Sequence, residues 1–327
     1  MGKLETRSRL DPQMADAVAM SAKIAEETKR RNGLEDSDPY DVSVLRRLYD
    51  ADRAYWNEGG PVMAESRDIR IDGPRGEIPL RLHRPKSAPG ENAPCLLFIH
   101  GGGWVVGNLE THDRMMRILA DESGWAVLGI DYRLSPEVKF PVAQGECRAA
   151  MDWMRANMAA LGIDPDNLAV GGDSAGANMS ASLLLGLRDD GALAGVRCGL
   201  LFYGAYGLRD SASRRMWGGP EDGLSARDLD FYRDSLMTTR DEMSDPRYDI
   251  LSNDLGGLPP LLVLEVVLDP LADDSVALKH CAQEAGVAVE YIRADGVLHG
   301  YLHMTRMVEA ARRDLSRSAA FLKASGA

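Results

Sequence analysis

Ser174 stands in the run Gly172-Asp173-Ser174-Ala175-Gly176, directly after the apolar residues 168–171 and ahead of residues 177–185, which can form a helix. A serine on so tight a strand-to-helix turn has a strained backbone, needs small neighbours because other chains approach closely, and lifts its hydroxyl clear of the sheet. The helix N-terminus behind it favours an anion formed there. This is the setting of a nucleophile that makes a covalent intermediate. The same five residues also fit a glycine-rich turn with a bystander serine, so the partners of a nucleophile have to be sought elsewhere in the chain.

His100-Gly101-Gly102-Gly103-Trp104 supplies a second piece, again directly after an apolar strand. Consecutive glycines leave backbone N–H groups unshielded, and two of those on Gly101, Gly102 and Gly103 could meet a developing oxyanion together with the N–H of Ala175. A phosphate-cradling loop is the alternative, but the Lys-Ser/Thr of a P-loop and the Gly-x-Gly-x-x-Gly spacing of a dinucleotide site are both missing. His100 itself reads as a brace for the loop.

The chain offers six histidines for the base. His299 follows the last strand candidate through the short loop 294–298 and precedes the closing helix, and loops at strand C-termini hold the catalytic groups of open α/β sheets. His303 is its rival. The two are four residues apart, as in a metal pair, but Gly300 opens the helix and the carboxylate of a His-Glu-x-x-His site is lacking. An acid that fixes the imidazole tautomer should precede the histidine in chain order. Asp269 lies immediately after the strand 261–267, with Pro270 holding the turn. Asp273 and Asp274 fall in a first helical turn, where a carboxylate is commonly a partner for the helix dipole. Such chemistry needs no metal or organic cofactor.

These groups need a sheet to hold them. From about residue 95 short apolar runs alternate with helical patterns, the habit of parallel strands joined by crossover helices, which makes the fold class α/β. Strands are expected at 95–99, 126–132, 168–171, 199–203, 261–267 and 287–292, and an antiparallel edge hairpin at 69–71 and 78–83. Val308, Ala311, Leu315, Ala319 and Leu322 form the apolar stripe of a closing helix. Residues 1–55 and 208–245 break the rhythm. The first reads as two helices. The second holds the capping-box spacing Ser225-Ala226-Arg227-Asp228 ahead of Leu229, Tyr232 and Leu236. Packed together as a helical cap, they would sit over a core made of 56–207 and 246–327.

In order and context these elements closely resemble the hormone-sensitive-lipase family of α/β-hydrolases, in particular its bacterial acetyl-esterase-like carboxylesterases. The resemblance is carried by the glycine loop, Asp131-Tyr132-Arg133-Leu134-Ser135-Pro136-Glu137, the Ser174 turn, Asp269-Pro270-Leu271-Ala272-Asp273 and His299-Gly300, and it covers nearly all the chain. It implies the α/β-hydrolase fold, a twisted and mostly parallel sheet of about eight strands with helices on both faces and a helical cap. It also implies the triad Ser174, Asp269 and His299 and serine-dependent hydrolysis of carboxylic esters of short to medium acyl chains or aryl groups. The run 131–137 carries no catalytic group in that family and is expected to brace the core near the site. Departures lie around the cap, at Gly204 where many relatives have proline and at residues 217–223. A pocket bounded by Trp104, Tyr203 and Tyr206 would suit compact apolar or aryl groups. The alternatives are amide or carbamate cleavage by the same triad, and a ligand receptor of the gibberellin-receptor kind, in which the triad histidine is lost.

Composition bounds the partners. A chain of 327 residues, 45% hydrophobic, buries a sizeable core, and a net charge of -12 argues against nucleic acid and anionic membrane surfaces. Cys95, Cys147, Cys198 and Cys281 are scattered, as reduced thiols of a cytoplasmic protein would be. No segment has the apolar length of a signal peptide or a membrane span. Gly2 with Thr6 matches a myristoylation pattern too loose to carry weight. A small-molecule ester is the expected partner, and an exposed edge strand near 287–292 would permit a homodimer.

Overall fold

The computed structural model describes residues 3–219 and 222–326, so Gly2 of the myristoylation pattern and Pro220 and Glu221 of the divergent cap stretch lie outside the described residues. Eight strands form one sheet: β1 (Glu65–Gly73), β2 (Gly76–Arg84), β3 (Ala93–Ile99), β4 (Ala126–Ile130), β5 (Ile163–Asp173), β6 (Val196–Phe202), β7 (Leu261–Val266) and β8 (Val289–Ala294). Their spatial order is β1-β2-β4-β3-β5-β6-β7-β8. The hairpin β1–β2 is antiparallel and joins β4 antiparallel, while β4, β3, β5, β6, β7 and β8 are mutually parallel.

Alternate residues of the central strands enter opposite apolar layers, as the period of two requires. Leu97, Val170 and Leu201 pack with Met151, Leu184 and Leu278 of one helical layer. Leu96, Phe98, Ala169 and Leu200 pack with Leu119, Leu315 and Leu322 of the other. The stripe expected in the closing helix is buried throughout, from Val308 to Leu322. Strand ends differ by a few residues from the sequence reading. β4 stops at Ile130, where its pairing with Leu80 of β2 and Ile99 of β3 ends, and the Tyr132 hydroxyl beyond it donates to the His100 carbonyl at 2.8 Å. β8 starts at Val289, because the N–H of Val287 is still occupied closing the preceding helix on Ala282.

The two segments outside the rhythm form the helices Pro12–Asn32 and Val42–Asn57, and the helices Ala212–Met216 and Ala226–Leu236. The Ser225/Asp228 capping box is formed in both directions. The segments meet at several points. The Leu4 N–H donates to the Met216 carbonyl at 2.8 Å, the Thr6 hydroxyl to Asp222, and the Tyr40 hydroxyl to Asp228 at 2.8 Å, with the Tyr40 ring 5.1 Å from that of Phe231. Helix Val42–Asn57 runs across residue 55 without a break and sinks Trp56 into the sheet-side layer. Among the described residues no helix is long and apolar enough to cross a membrane.

Candidate active site

The Ser174 turn is as tight as its sequence implies. Ser174 has φ 51° and ψ -117° between β5 and the helix Ala175–Asp189, a conformation that residues other than glycine rarely adopt. Its N–H is anchored on the Phe202 carbonyl at 2.8 Å. The flanking glycines answer to a steric demand: a Cβ on Gly172 would lie 2.2 Å from the Ile99 carbonyl oxygen, and one on Gly176 only 1.9 Å from the same atom.

The loop after β8 brings His299 over this turn. His299 Nε2 lies 2.8 Å from Ser174 Oγ, and Nδ1 lies 2.6 Å from Asp269 Oδ2. Asp269 is fully buried, and its other oxygen accepts the Leu271 N–H at 2.8 Å, so the carboxylate cannot swing away from the ring. Asp273 and Asp274 are turned elsewhere. Asp273 accepts the Ser213 N–H, and Asp274 accepts the N–H groups of Tyr206, Gly207 and Leu208 and pairs with Arg214. They tie the insertion to the core instead of serving the helix dipole alone.

Of the three loop glycines, Gly101 has its N–H already committed to Asp173 Oδ1 at 2.8 Å. Gly102 and Gly103, with Ala175, border the cavity above Ser174. Gly103 has φ 59° and lies under the Tyr232 ring, which a Cβ there would approach to 2.4 Å. His100 braces the loop, with Nδ1 2.8 Å from the Gly101 carbonyl oxygen and its ring stacked on Tyr132. The run 131–137 braces too: Arg133 pairs with Glu146, and Glu137 and the Ser135 carbonyl hold Arg46.

The cavity has a volume of about 400 Å³. Trp104 lines it, but Tyr203 and Tyr206 do not. Tyr203 takes a positive φ of 40° as the chain leaves β6, which puts its buried ring edge-on against His299, 5.0 Å between centroids. Tyr206 is fully buried, folded back so that a Cβ on Gly204 would touch its ring at 2.6 Å. The aromatic wall is instead made by Tyr49, Tyr232 and Tyr248. The sequence signal for Tyr232 was its place on the apolar stripe of the insertion helix; Tyr49 and Tyr248 carried none.

A further group escaped the sequence reading. His112, at the start of helix Asp113–Ser123, and His303 converge on Asp173, with Nε2 atoms 3.2 and 3.7 Å from its oxygens. All three are buried. Burial opposes the charge on Asp173, but the two imidazoles outweigh it and hold the carboxyl well below its usual range. Burial pushes the His303 imidazole well down, so that it stays neutral. The remaining histidines are remote: His83 on β2 faces Asp113, and His280 lies in helix Ala272–Glu284.

Asp173 therefore connects the Ser174 turn to the glycine loop. Asp173→Asn is expected to lower kcat by about 10- to 100-fold with a smaller change in KM, since it loosens the glycine loop beside Ser174 without touching Ser174 or His299. Because a depressed carboxylate stabilises the fold above the ordinary range near 4 and loses that contribution as pH falls, the variant should also lose less stability on acidification than the native chain. Steady-state kinetics and melts between pH 7 and about 3 check both; an unchanged kcat would mean that the loop holds its own shape.

Comparisons with known proteins place the chain in a family. Residues 96–303 match a family model described as alpha/beta hydrolase fold. The acetyl esterase of Salmonella schwarzengrund (strain CVM19633) is 38% identical over 290 residues, covering 87% of either chain. A hyperthermophilic esterase from the archaeon Pyrobaculum calidifontis superposes with a TM-score of 0.88 at 31% identity, over 97% of this chain and 98% of that one. A thermophilic carboxylesterase cloned from a metagenomic library gives 0.85 at 32% identity, over 88% and 98%. The chain belongs to the alpha/beta hydrolase family, in its hormone-sensitive-lipase branch, and hydrolyses carboxylic esters.

Proposed function

We propose that Ser174 is the nucleophile, His299 the general base and then acid, and Asp269 the group that orients the imidazole and stabilises its positive charge. His299 Nε2 takes the Ser174 proton as Oγ attacks the ester carbonyl, and the oxyanion is received by the N–H groups of Gly102, Gly103 and Ala175. The tetrahedral intermediate collapses, the alcohol leaves with the proton from His299, and an acyl-serine remains. Water deprotonated by the same ring releases the acid and restores the serine. The observation that carries this reading is the imidazole bridging Ser174 Oγ at 2.8 Å and Asp269 at 2.6 Å. No metal or organic cofactor enters any of these steps.

The substrate is a small ester of short to medium acyl chain or an aryl ester. The size of the cavity supports this, because about 400 Å³ enclosed by Trp104, Tyr232 and Tyr248 holds a compact ester and not a long-chain triglyceride. Residues 1–55 and 208–245 act as the cap that sets this limit, over a core of 56–207 and 246–327; Tyr49 and Tyr232 reach the cavity from the two parts of that cap. The four cysteines are free, in keeping with a cytoplasmic site of action. β8 ends the sheet with an unpaired edge on which a second copy could form a homodimer.

A series of p-nitrophenyl acyl esters tests the substrate range. We expect kcat/KM to be highest between about two and eight acyl carbons and to fall at least about tenfold by twelve, as the chain outgrows the cavity. A flat profile to sixteen carbons or so would contradict a capped pocket.

A further inference from the structure

Arg53 is a feature of the pocket that ester cleavage does not itself require. It projects from helix Val42–Asn57 into the cavity wall beside Ser174 and His299. Its side chain is only 12% exposed. Nη1 donates to Asp52 Oδ2 at 3.1 Å, and the Tyr49 ring lies 4.5 Å from the guanidinium carbon. Among the described residues no acceptor meets Nε, and besides Asp52 the guanidinium has the Tyr49 side chain as its polar neighbour. Nη2 sits beside Gly300, the residue that follows His299: a methyl group there would lie 3.7 Å from it. A guanidinium carries its donors in a planar fork that matches a carboxylate, and leaving them unmet in a buried wall is costly.

The rest of the cavity points the same way. Although the chain carries a net charge of -12, five arginines and three aspartates line the pocket, and one of those aspartates, Asp173, is directed at His112 and His303. The other arginines are engaged at its rim: Arg214 with Asp274, Arg215 with Asp210, Arg233 with Asp230, and Arg209 with the Ser244 hydroxyl. Arg214 also leaves its Nε unmet, but its fork is held by Asp274; Arg53 is the one of the five that lies against Gly300, the residue after His299.

We propose that the Ser174 cavity takes esters that carry a free carboxylate, such as half-esters of dicarboxylic acids or acyl derivatives of hydroxy acids, with Arg53 binding the carboxylate. This rests on the reading of Ser174 as the esterase nucleophile and adds the substrate class. Tyr232, Trp104 and Tyr248 then face the apolar part of the substrate.

The test measures kcat/KM for two matched pairs, mono-p-nitrophenyl glutarate against p-nitrophenyl valerate, and p-acetoxybenzoate against its methyl ester. In Arg53→Gln the ratio of anionic to neutral ester should fall at least about tenfold for one pair or both, and Arg53→Lys should restore part of it. A ratio unchanged in both pairs overturns the proposal. Should Arg53→Gln not fold, the native enzyme decides. Glutarate or benzoate should inhibit hydrolysis of the neutral ester competitively, and at least about tenfold more strongly than glutaramide or benzamide. Equal inhibition by acids and amides, or none, overturns it. Failure of the underlying esterase reading shows differently, as Ser174→Ala turning over p-nitrophenyl valerate at the native rate.

Discussion

Ser174→Ala is expected to lower kcat/KM for p-nitrophenyl esters by at least about 10⁴-fold, or about 5 kcal/mol of transition-state stabilisation, while leaving the fold intact. The serine makes one side-chain hydrogen bond, the 2.8 Å contact with His299, so deleting Oγ removes the proposed attacking atom and no structural tie. The strained φ of 51° is imposed by the backbone, through the Ser174 N–H on the Phe202 carbonyl and the close packing of Gly172 and Gly176 on Ile99. Alanine inherits that strain unchanged. A melting temperature within about 3 °C of the native value should therefore accompany the loss of activity. Residual hydrolysis above the uncatalysed rate is expected, because the oxyanion donors and the pocket still bind the transition state. Retention of even a tenth of native activity would place the nucleophile elsewhere.

Asp269→Asn comes second, with an expected loss of about 10³- to 10⁴-fold in kcat and a much smaller change in KM. The carboxylate accepts the Nδ1–H of His299 at 2.6 Å, and its second oxygen is fixed by the Leu271 N–H. An asparagine held by the same N–H turns its amide nitrogen toward Nδ1. The ring then places its proton on Nε2, the atom that must accept the proton of Ser174. The geometry survives and the tautomer is wrong. Asp273→Asn is the control, since Asp273 accepts the Ser213 N–H away from the imidazole. Equal losses in the two variants would count against Asp269 as the orienting acid.

The sequence carried the buried strands and the groups at their ends, because both signals are contiguous: an apolar run, then a glycine-rich or acidic turn. The meeting of Ser174, His299 and Asp269 was legible for that reason, each lying directly after a strand or one short loop beyond it. The cap was legible only as a break in rhythm. Which of its side chains reach the cavity depends on how two segments distant in the chain pack. Tyr203 and Tyr206 were misplaced because one positive φ at Tyr203 and the grip of Asp274 on three successive N–H groups turn both rings into the core. The His112–Asp173–His303 cluster draws on three separate elements and left no local pattern. Its nearest clue was Asp173 itself, placed between two residues already singled out.

The most direct test of the account is covalent. The native enzyme is treated with a serine-directed fluorophosphonate, digested, and the modified peptide sequenced by mass spectrometry, alongside Ser174→Ala. One phosphonate per chain, located on Ser174, formed together with loss of esterase activity and absent from the alanine variant, is the predicted result. An unlabelled native enzyme that remains active, or the same adduct on another residue in both proteins, would contradict it.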